Sequence, residues 1–134
     1  MADDVENIKF EDVEDIRELP PGKYAGVIAQ AKWDKGQDGK QFVTFAFTPQ
    51  SPMSEQDLQG VKLGRQVFSN RLYLTNESAP FFKREMKKLG DFPGLTLKDI
   101  PEEVVGTEVN FVVEVKEGKN GKEYRNVTDW AAAE

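Results

Sequence analysis

The sequence predicts a mainly β domain: a five-stranded Greek-key barrel with one helix between its third and fourth strands. Three observations lead there. Several stretches of about ten residues alternate side-chain character with a period of two. The phrase KGQDGKQF (35–42) returns as EGKNGKEY (117–124), each with a Gly-containing turn pair followed by an aromatic. One segment, 75–90, combines helical apolar spacing with start and stop signals.

The elements follow in order. Pro20, Pro21 and Gly22 punctuate the chain, and KYAGVIAQAKW (23–33) is the first strand. Its alternation sets Ala25, Val27, Ala29, Ala31 and Trp33 against Tyr24, Gly26, Ile28, Gln30 and Lys32. Asp38-Gly39 tolerates the left-handed backbone of a tight hairpin. The second strand, KQFVTFAFT (40–48), places Val43, Phe45 and Phe47 on one face and Phe42, Thr44 and Ala46 on the other. Residues 49–64, with two prolines and two glycines, read as an excursion loop with a helical turn near Glu55–Leu58. The third strand, RQVFSNRLYL (65–74), puts Phe68, Leu72 and Leu74 on one face, opposite Arg65, Val67, Ser69, Arg71 and Tyr73.

The helix spans 75–90. Asn76 or Ser78 caps it, Pro80 fits its first turn, and Phe82, Met86 and Leu89 form its apolar side. Lys83, Arg84, Lys87 and Lys88 suit its C-terminal half, and Gly90 stops it in a left-handed cap. A linker (91–106) contains a short helical turn from Pro101 to Val105. Strand four, TEVNFVVEVKE (107–117), points Val109, Phe111, Val113 and Val115 inward. Asn120-Gly121 turns the chain into the last strand, EYRNVTDW (123–130). Strand, strand, strand, helix, strand, strand is the order of the OB-fold barrel, with a small α+β sheet as the competing arrangement. The expected organisation is an acidic arm (1–19), an OB-fold-like domain (20–130) and a short tail (131–134).

Composition narrows the chemistry. The chain has no Cys and no His, which removes thiol catalysis, disulfides and Ser-His-Asp chemistry. No cofactor or metal site is expected. No apolar run approaches a membrane span and no secretory signal opens the chain, so a cytoplasmic protein without membrane contact is expected. The net charge of −6 is unevenly placed. Residues 1–19 hold eight acids against Lys9 and Arg17, whereas the other 115 residues hold 16 acids and 16 bases. The acidity therefore belongs to the arm, and the body is free to present a basic face.

An open sector of such a barrel gives exposed aromatics a use. Phe42, Tyr73 and Tyr124, with Trp33 as a further candidate, are the rings on which unpaired bases would stack. Lys40, Arg65, Arg71, Lys122 and Arg125 lie beside them in sequence as phosphate contacts. The competing reading of any one strand aromatic is core packing. Glu114-Val115-Lys116 matches half of a common nuclease site, without a clear upstream partner. A viral assembly module, using the same barrel as a protein-docking surface, is the alternative function.

The series LPPGKYAGVIAQAKW, DGKQFVTFAFT, GRQVFSNRLYLTN, a helix ending in KKLG, and VVGTEVNFVVEVKEGKNGKEYRNVTDW resembles a family of small bacteriophage proteins. These proteins are usually encoded among replication and recombination genes and are read as OB-fold single-stranded-DNA-binding proteins. The likeness spans residues 19–130 and rests on Gly64, Arg65, Phe68, Leu72, Leu74, Asn76, Gly90 and the run Asn120–Tyr124 followed by Val127. It implies sequence-tolerant coating of single-stranded DNA in phage replication or recombination, in the host cytoplasm. It also implies partners among replication or recombination proteins, for which the acidic arm is the candidate contact, and a homo-oligomer as a further expectation. Phage single-strand binders often end in an acidic tail; this chain ends in DWAAAE, and its acidic segment is N-terminal. That arm is a candidate competitor for the basic face or a self-association element.

Overall fold

In a computed structural model, residues 9, 17–53, 55 and 58–133 are described; the acidic arm up to residue 16, Lys9 apart, and residues 56 and 57 of the expected turn at 55–58 lie outside them. The chain forms β1 (Gly22–Lys35), β2 (Gln41–Pro52), β3 (Val67–Phe68), β4 (Leu72–Leu74), α1 (Ala79–Lys87), a 3-10 turn (Leu97–Asp99), α2 (Ile100–Glu103), β5 (Glu108–Glu117) and β6 (Glu123–Ala132). All ladders are antiparallel, in the order β3-β2-β1-β5-β6, and β4 also pairs with β2.

The repeated phrase builds the same turn twice. Gly36 N–H donates to Lys40 O, Gly39 N–H to Gly36 O, and Lys40 N–H to the Asp38 carboxylate. Gly118, Lys122, Gly121 and Asn120 repeat these three bonds one for one. Only the glycines take positive φ, +80° at Gly39 and +78° at Gly121. The pattern is that of a three-residue hairpin loop with a glycine bulge.

Single extra residues decide which side chains face inward. Ile28 pairs with Phe47 and Gln30 with Ala46, so Ala29 is an insertion in β1. Tyr24, Gly26 and Ile28 are therefore buried before it, while Ala31 and Trp33 pack on the core after it. Strict alternation over 23–33 assigned these to opposite faces; the bulge puts them on one, because each inserted residue reverses the two-residue period.

The third predicted strand is broken in the same way. Phe68 pairs with Ala46 and Leu72 with Val43, four steps of one strand against three of the other. At the break the buried Ser69 donates its N–H to Phe45 O, and its hydroxyl accepts Phe45 N–H at 2.9 Å. Val67, Ser69 and Leu72 therefore face inward and Phe68 outward, the reverse of the sequence expectation for Val67, Ser69 and Phe68. The closed five-stranded barrel with one helix is corrected accordingly. The sheet is open and six-stranded, and its edges β3 and β6 meet at a single parallel bridge, Ser69 to Val127. Residues 65–74 supply only short ladders on either side of the kink, too little for a full closing strand.

Among the described residues there are also two short helices. α2 starts with Pro101 in its first turn, where a missing N–H costs nothing, and buries Ile100 and Val104. Gly106 N–H then donates to Ile28 O at 2.7 Å, docking this segment on β1. α1 buries Phe82 and Met86, and Leu89 beyond it is buried too. Gly90 has φ +149°, an extended conformation reserved for glycine, instead of the expected left-handed cap. The core gathers Tyr24, Phe45, Phe47, Phe111 and Trp130, with Phe47 and Phe111 centroids 5.0 Å apart. No helix among the described residues is long and apolar enough to cross a membrane.

α1 is fastened to β6 by a polar knot. Lys88 Nζ donates to Asp129 at 2.7 Å and to Glu85 at 3.1 Å, while Trp130 Nε1–H donates to Glu85 O. Burial alone would lower the Lys88 pKa; its bonds to Asp129 and Glu85 outweigh that and raise it. The hydrogen bond from Lys88 holds Asp129 below its ordinary value, against a smaller opposing effect of burial.

Two predictions follow from this packing. Lys88→Met should lower unfolding stability by about 1–3 kcal/mol in urea melts, because the Glu85 carboxylate, 7% exposed, loses its nearest cation. The lowered Asp129 carboxyl stabilises the fold above its unfolded pKa, and that contribution disappears as pH falls through its folded value. Asp129→Asn should therefore flatten the loss of stability between pH 5 and pH 2, as read in melts at both ends; the effect is small because the group is more than half exposed. Separately, Gly26→Ala should cost about 2 kcal/mol or more, since a Cβ there would collide with the Thr48 carbonyl.

Candidate functional site

Both parity reversals deliver side chains to the same outer face. Beyond Ala29, β1 turns Gln30, Lys32 and Asp34 outward, next to Phe42, Thr44 and Ala46 of β2. Phe68 and Arg71, either side of the kink, wall the same depression of about 260 Å³. Further depressions adjoin it and share its walls. Through Phe42 and Arg71 it opens toward the first hairpin, where Lys35, Asp38 and Tyr73 line about 500 Å³. Tyr73 and Asp38 lead on to Lys40, Thr75, Glu77 and Ser78. Through Phe68 it opens the other way, to Arg17, Glu18, Lys62, Arg65 and Arg125. Together these wall-sharing depressions make up a grooved surface across β1, β2 and the kinked segment.

Its charge differs from that of the whole chain. Lys32, Lys35, Lys40, Lys62, Arg17, Arg65, Arg71 and Arg125 line it, against Asp34, Asp38, Glu18 and Glu77. Among the described residues, eight bases against four acids line the groove, a surplus of four positive charges in a chain of net charge −6. A cleft of one sign concentrates counter-charged ligands.

At its centre lies a layered cluster. The Arg71 guanidinium sits 4.5 Å over the Phe42 ring, and the Tyr73 ring lies 5.4 Å from Phe42. Arg71 also donates to the Tyr73 hydroxyl at 3.5 Å. Phe42 belongs to the outer face and not to the hydrophobic core, yet it is only 7% exposed because Arg71 and Tyr73 cover it. The expected bare platform is thus a capped one. The bare ring of the groove is Phe68, 51% exposed, which alternation had assigned to the core.

The other expected residues are placed as follows. Lys40 is exposed at the first hairpin, 3.9 Å from Asp38. Arg65 lies 3.6 Å from Glu18. Arg125 reaches the far end of the groove, but its Nε–H is committed to Leu19 O at 2.7 Å. Trp33 stacks on Phe82 at 6.0 Å and packs against the core, away from the groove. Lys122 and Tyr124 stand at the second hairpin and do not line the groove; the Tyr124 ring lies over Gly118, half exposed. The groove therefore unites Lys40, Phe42, Arg65, Arg71, Tyr73 and Arg125, and leaves Trp33, Lys122 and Tyr124 elsewhere.

Phe68, Arg17, Lys32, Lys35 and Lys62 are groove residues that sequence reasoning missed. For Phe68 a signal existed: the following Ser69-Asn70 pair competes for backbone hydrogen bonds and marks a break. Glu114 and Lys116 are exposed on β5, and among the described residues no group of three or more Asp or Glu gathers into a potential metal site.

Comparison with curated proteins found no match. Residues 6–134 match a family described as "Protein of unknown function (DUF669)". The match covers nearly the whole chain, arm residues included, and the chain belongs to that family.

Proposed function

We propose that this protein binds single-stranded DNA without reading its sequence, and coats single strands during phage DNA replication or recombination. The observation that carries the proposal is the row of wall-sharing depressions, with a surplus of four positive charges among the described residues, around Phe68, Tyr73 and the capped Phe42. A phosphate backbone neutralises such a groove, and unpaired bases stack on its rings whatever their identity. Arg71 is placed to move from Phe42 onto a phosphate, freeing the ring for a base. A duplex offers no unstacked base to Phe68, which favours a single strand. We further read the sheet as an OB-type barrel held at one closing bridge. The strand order and the parallel contact of Ser69 with Val127 support this, as does a groove on the face such barrels use for oligonucleotides.

The test is fluorescence anisotropy with labelled oligo-dT at two salt concentrations, alongside an oligo-rU strand and a duplex. Affinity should fall steeply with salt, and Phe68→Ala should weaken binding by roughly 5- to 150-fold, the equivalent of one lost stacking platform of about 1–3 kcal/mol. Its thermal stability should stay within about 0.5 kcal/mol of the parent, since the ring is already exposed. Arg65→Ala should reduce the salt slope by about 0.7, one phosphate contact on a single strand. Salt-insensitive binding, or full affinity in Phe68→Ala, would sink the proposal in favour of a protein-docking role.

A further inference from the structure

β1 is an inner strand over only half its length. It pairs with β2 from Tyr24 to Lys35, but with β5 only from Gly22 to Val27. Ile28 makes the last contacts on that side: its N–H donates to Thr107 O, and its carbonyl accepts Gly106 N–H. Beyond the Ala29 bulge the strand runs on with one edge open. The register says which backbone groups that edge presents. Phe45, opposite Ala31, turns its N–H and carbonyl to Ser69, away from β1. In an antiparallel ladder the opposite residue then turns its own groups the other way, and the pattern repeats every second residue. Ala31, Trp33 and Lys35 therefore direct N–H and C=O to the open side, within a stretch (30–35) of about 20 Å. The bond from Gly36 N–H to Lys40 O fits the same parity, with even-numbered residues facing β2. Among the described residues nothing engages the Ala31 or Trp33 backbone on that side, and the Lys35 N–H is met by the Asp34 carboxylate at 2.8 Å.

We infer that this edge is a self-association surface, closed by the same edge of a second copy of the chain. An unpaired edge is a template for another strand, and the side chains here select which one. A two-fold axis through Trp33 sets it opposite the second copy's Trp33, and Ala31 opposite the second copy's Lys35. The tryptophan pair then exchanges two N–H···O bonds, and Ala31 N–H reaches the Lys35 carbonyl once in each direction. The same register sets Lys32 directly opposite the second copy's Asp34, on both sides of the axis. Both side chains are exposed, and among the described residues neither is in an ion pair. Moving the axis to Lys32 or to Asp34 would place like charges face to face. Moving it to Ala31 would set Trp33 against the bulged Ala29, where the ladder is broken. The edge is thus complementary to itself in one register, as an isologous contact requires. The Trp33 ring stays on the inner face, stacked on Phe82. Gln30, Lys32 and Asp34 wall the grooved surface, so pairing lays two such surfaces side by side on one face of a continuous sheet. The association itself does not depend on what those surfaces bind.

Association is read on the full chain without oligonucleotide, which keeps it apart from the function of the groove. Sedimentation over a concentration series should show a monomer–dimer equilibrium. Lys32→Asp alone, or Asp34→Lys alone, should weaken the dimer about ten-fold or more, because each puts like charges opposite one another at two places. The double change, Lys32→Asp with Asp34→Lys, should bring association back to within about three-fold of the parent, since opposite charges face each other again. The chain has no cysteine, so disulfide trapping reads the register directly. Mixed Lys32→Cys and Asp34→Cys proteins should link to each other about ten-fold faster than either links to itself. Directly opposite residues of such a pair lie about 4.5 Å apart, diagonal ones about 7–8 Å. A monomer at every concentration, a dimer indifferent to the charge changes, or faster like-with-like linkage would each overturn the inference. Loss of oligo-dT binding with the dimer intact would remove only the proposed function.

Discussion

The serine hydroxyl buried at position 69 is the pivot of this structure. Phe45 N–H, which a regular ladder would pair with a backbone carbonyl, finds the Ser69 hydroxyl instead. An unpaired donor at that depth would cost about 1–3 kcal/mol, so the side-chain acceptor is what makes a break in the ladder tolerable. With the break comes one extra residue between Phe68 and Leu72. From that residue follow the inward turn of Leu72, the outward turn of Phe68, and the position of Arg71 over Phe42. The same break leaves β3 only two residues long, so the sheet edges meet at one bridge and the outer face stays open.

Electrostatics then acts on a surface that geometry has prepared. The body as a whole is neutral, and no count of its charges distinguishes a basic face. The groove becomes positive because Lys32 is turned outward by the Ala29 bulge and because the kinked segment contributes Arg65 and Arg71 on the same side. Arg71 illustrates how economically the cluster is built. Its guanidinium shields Phe42 from water, bonds Tyr73, and remains an exposed cation at the surface. A ring covered by a long, charged side chain is stable without a ligand, and its cover is itself a phosphate-seeking group.

The two copies of the repeated phrase show how far local sequence carries. Their hydrogen bonds and glycine conformations agree in full, because Asp38 or Asn120, the following glycine and the lysine N–H specify the turn within five residues. Their surroundings differ. The first tip borders the groove through Lys40 and Asp38, while the second packs Tyr124 over its own Gly118. Equal turns therefore do not imply equal roles; that depends on which strands flank them.

The sequence by itself determined the β-rich class, both hairpin turns, the apolar side of α1, the α2 turn and the inward set Val109, Phe111 and Val113. These rest on spacing and turn chemistry within a few residues. It also marked four of the groove's eight described cations, Lys40, Arg65, Arg71 and Arg125, since basic side chains beside strand aromatics are visible as a string. Tertiary structure alone decided the faces of β1 beyond Ala29 and of the segment 65–74, the open edge, and the exchange of Trp33 for Phe68 as a ring outside the core. The reason is that a bulge is a property of two paired strands: one inserted residue reverses every side chain after it, and only the partner strand's register reveals where the insertion lies.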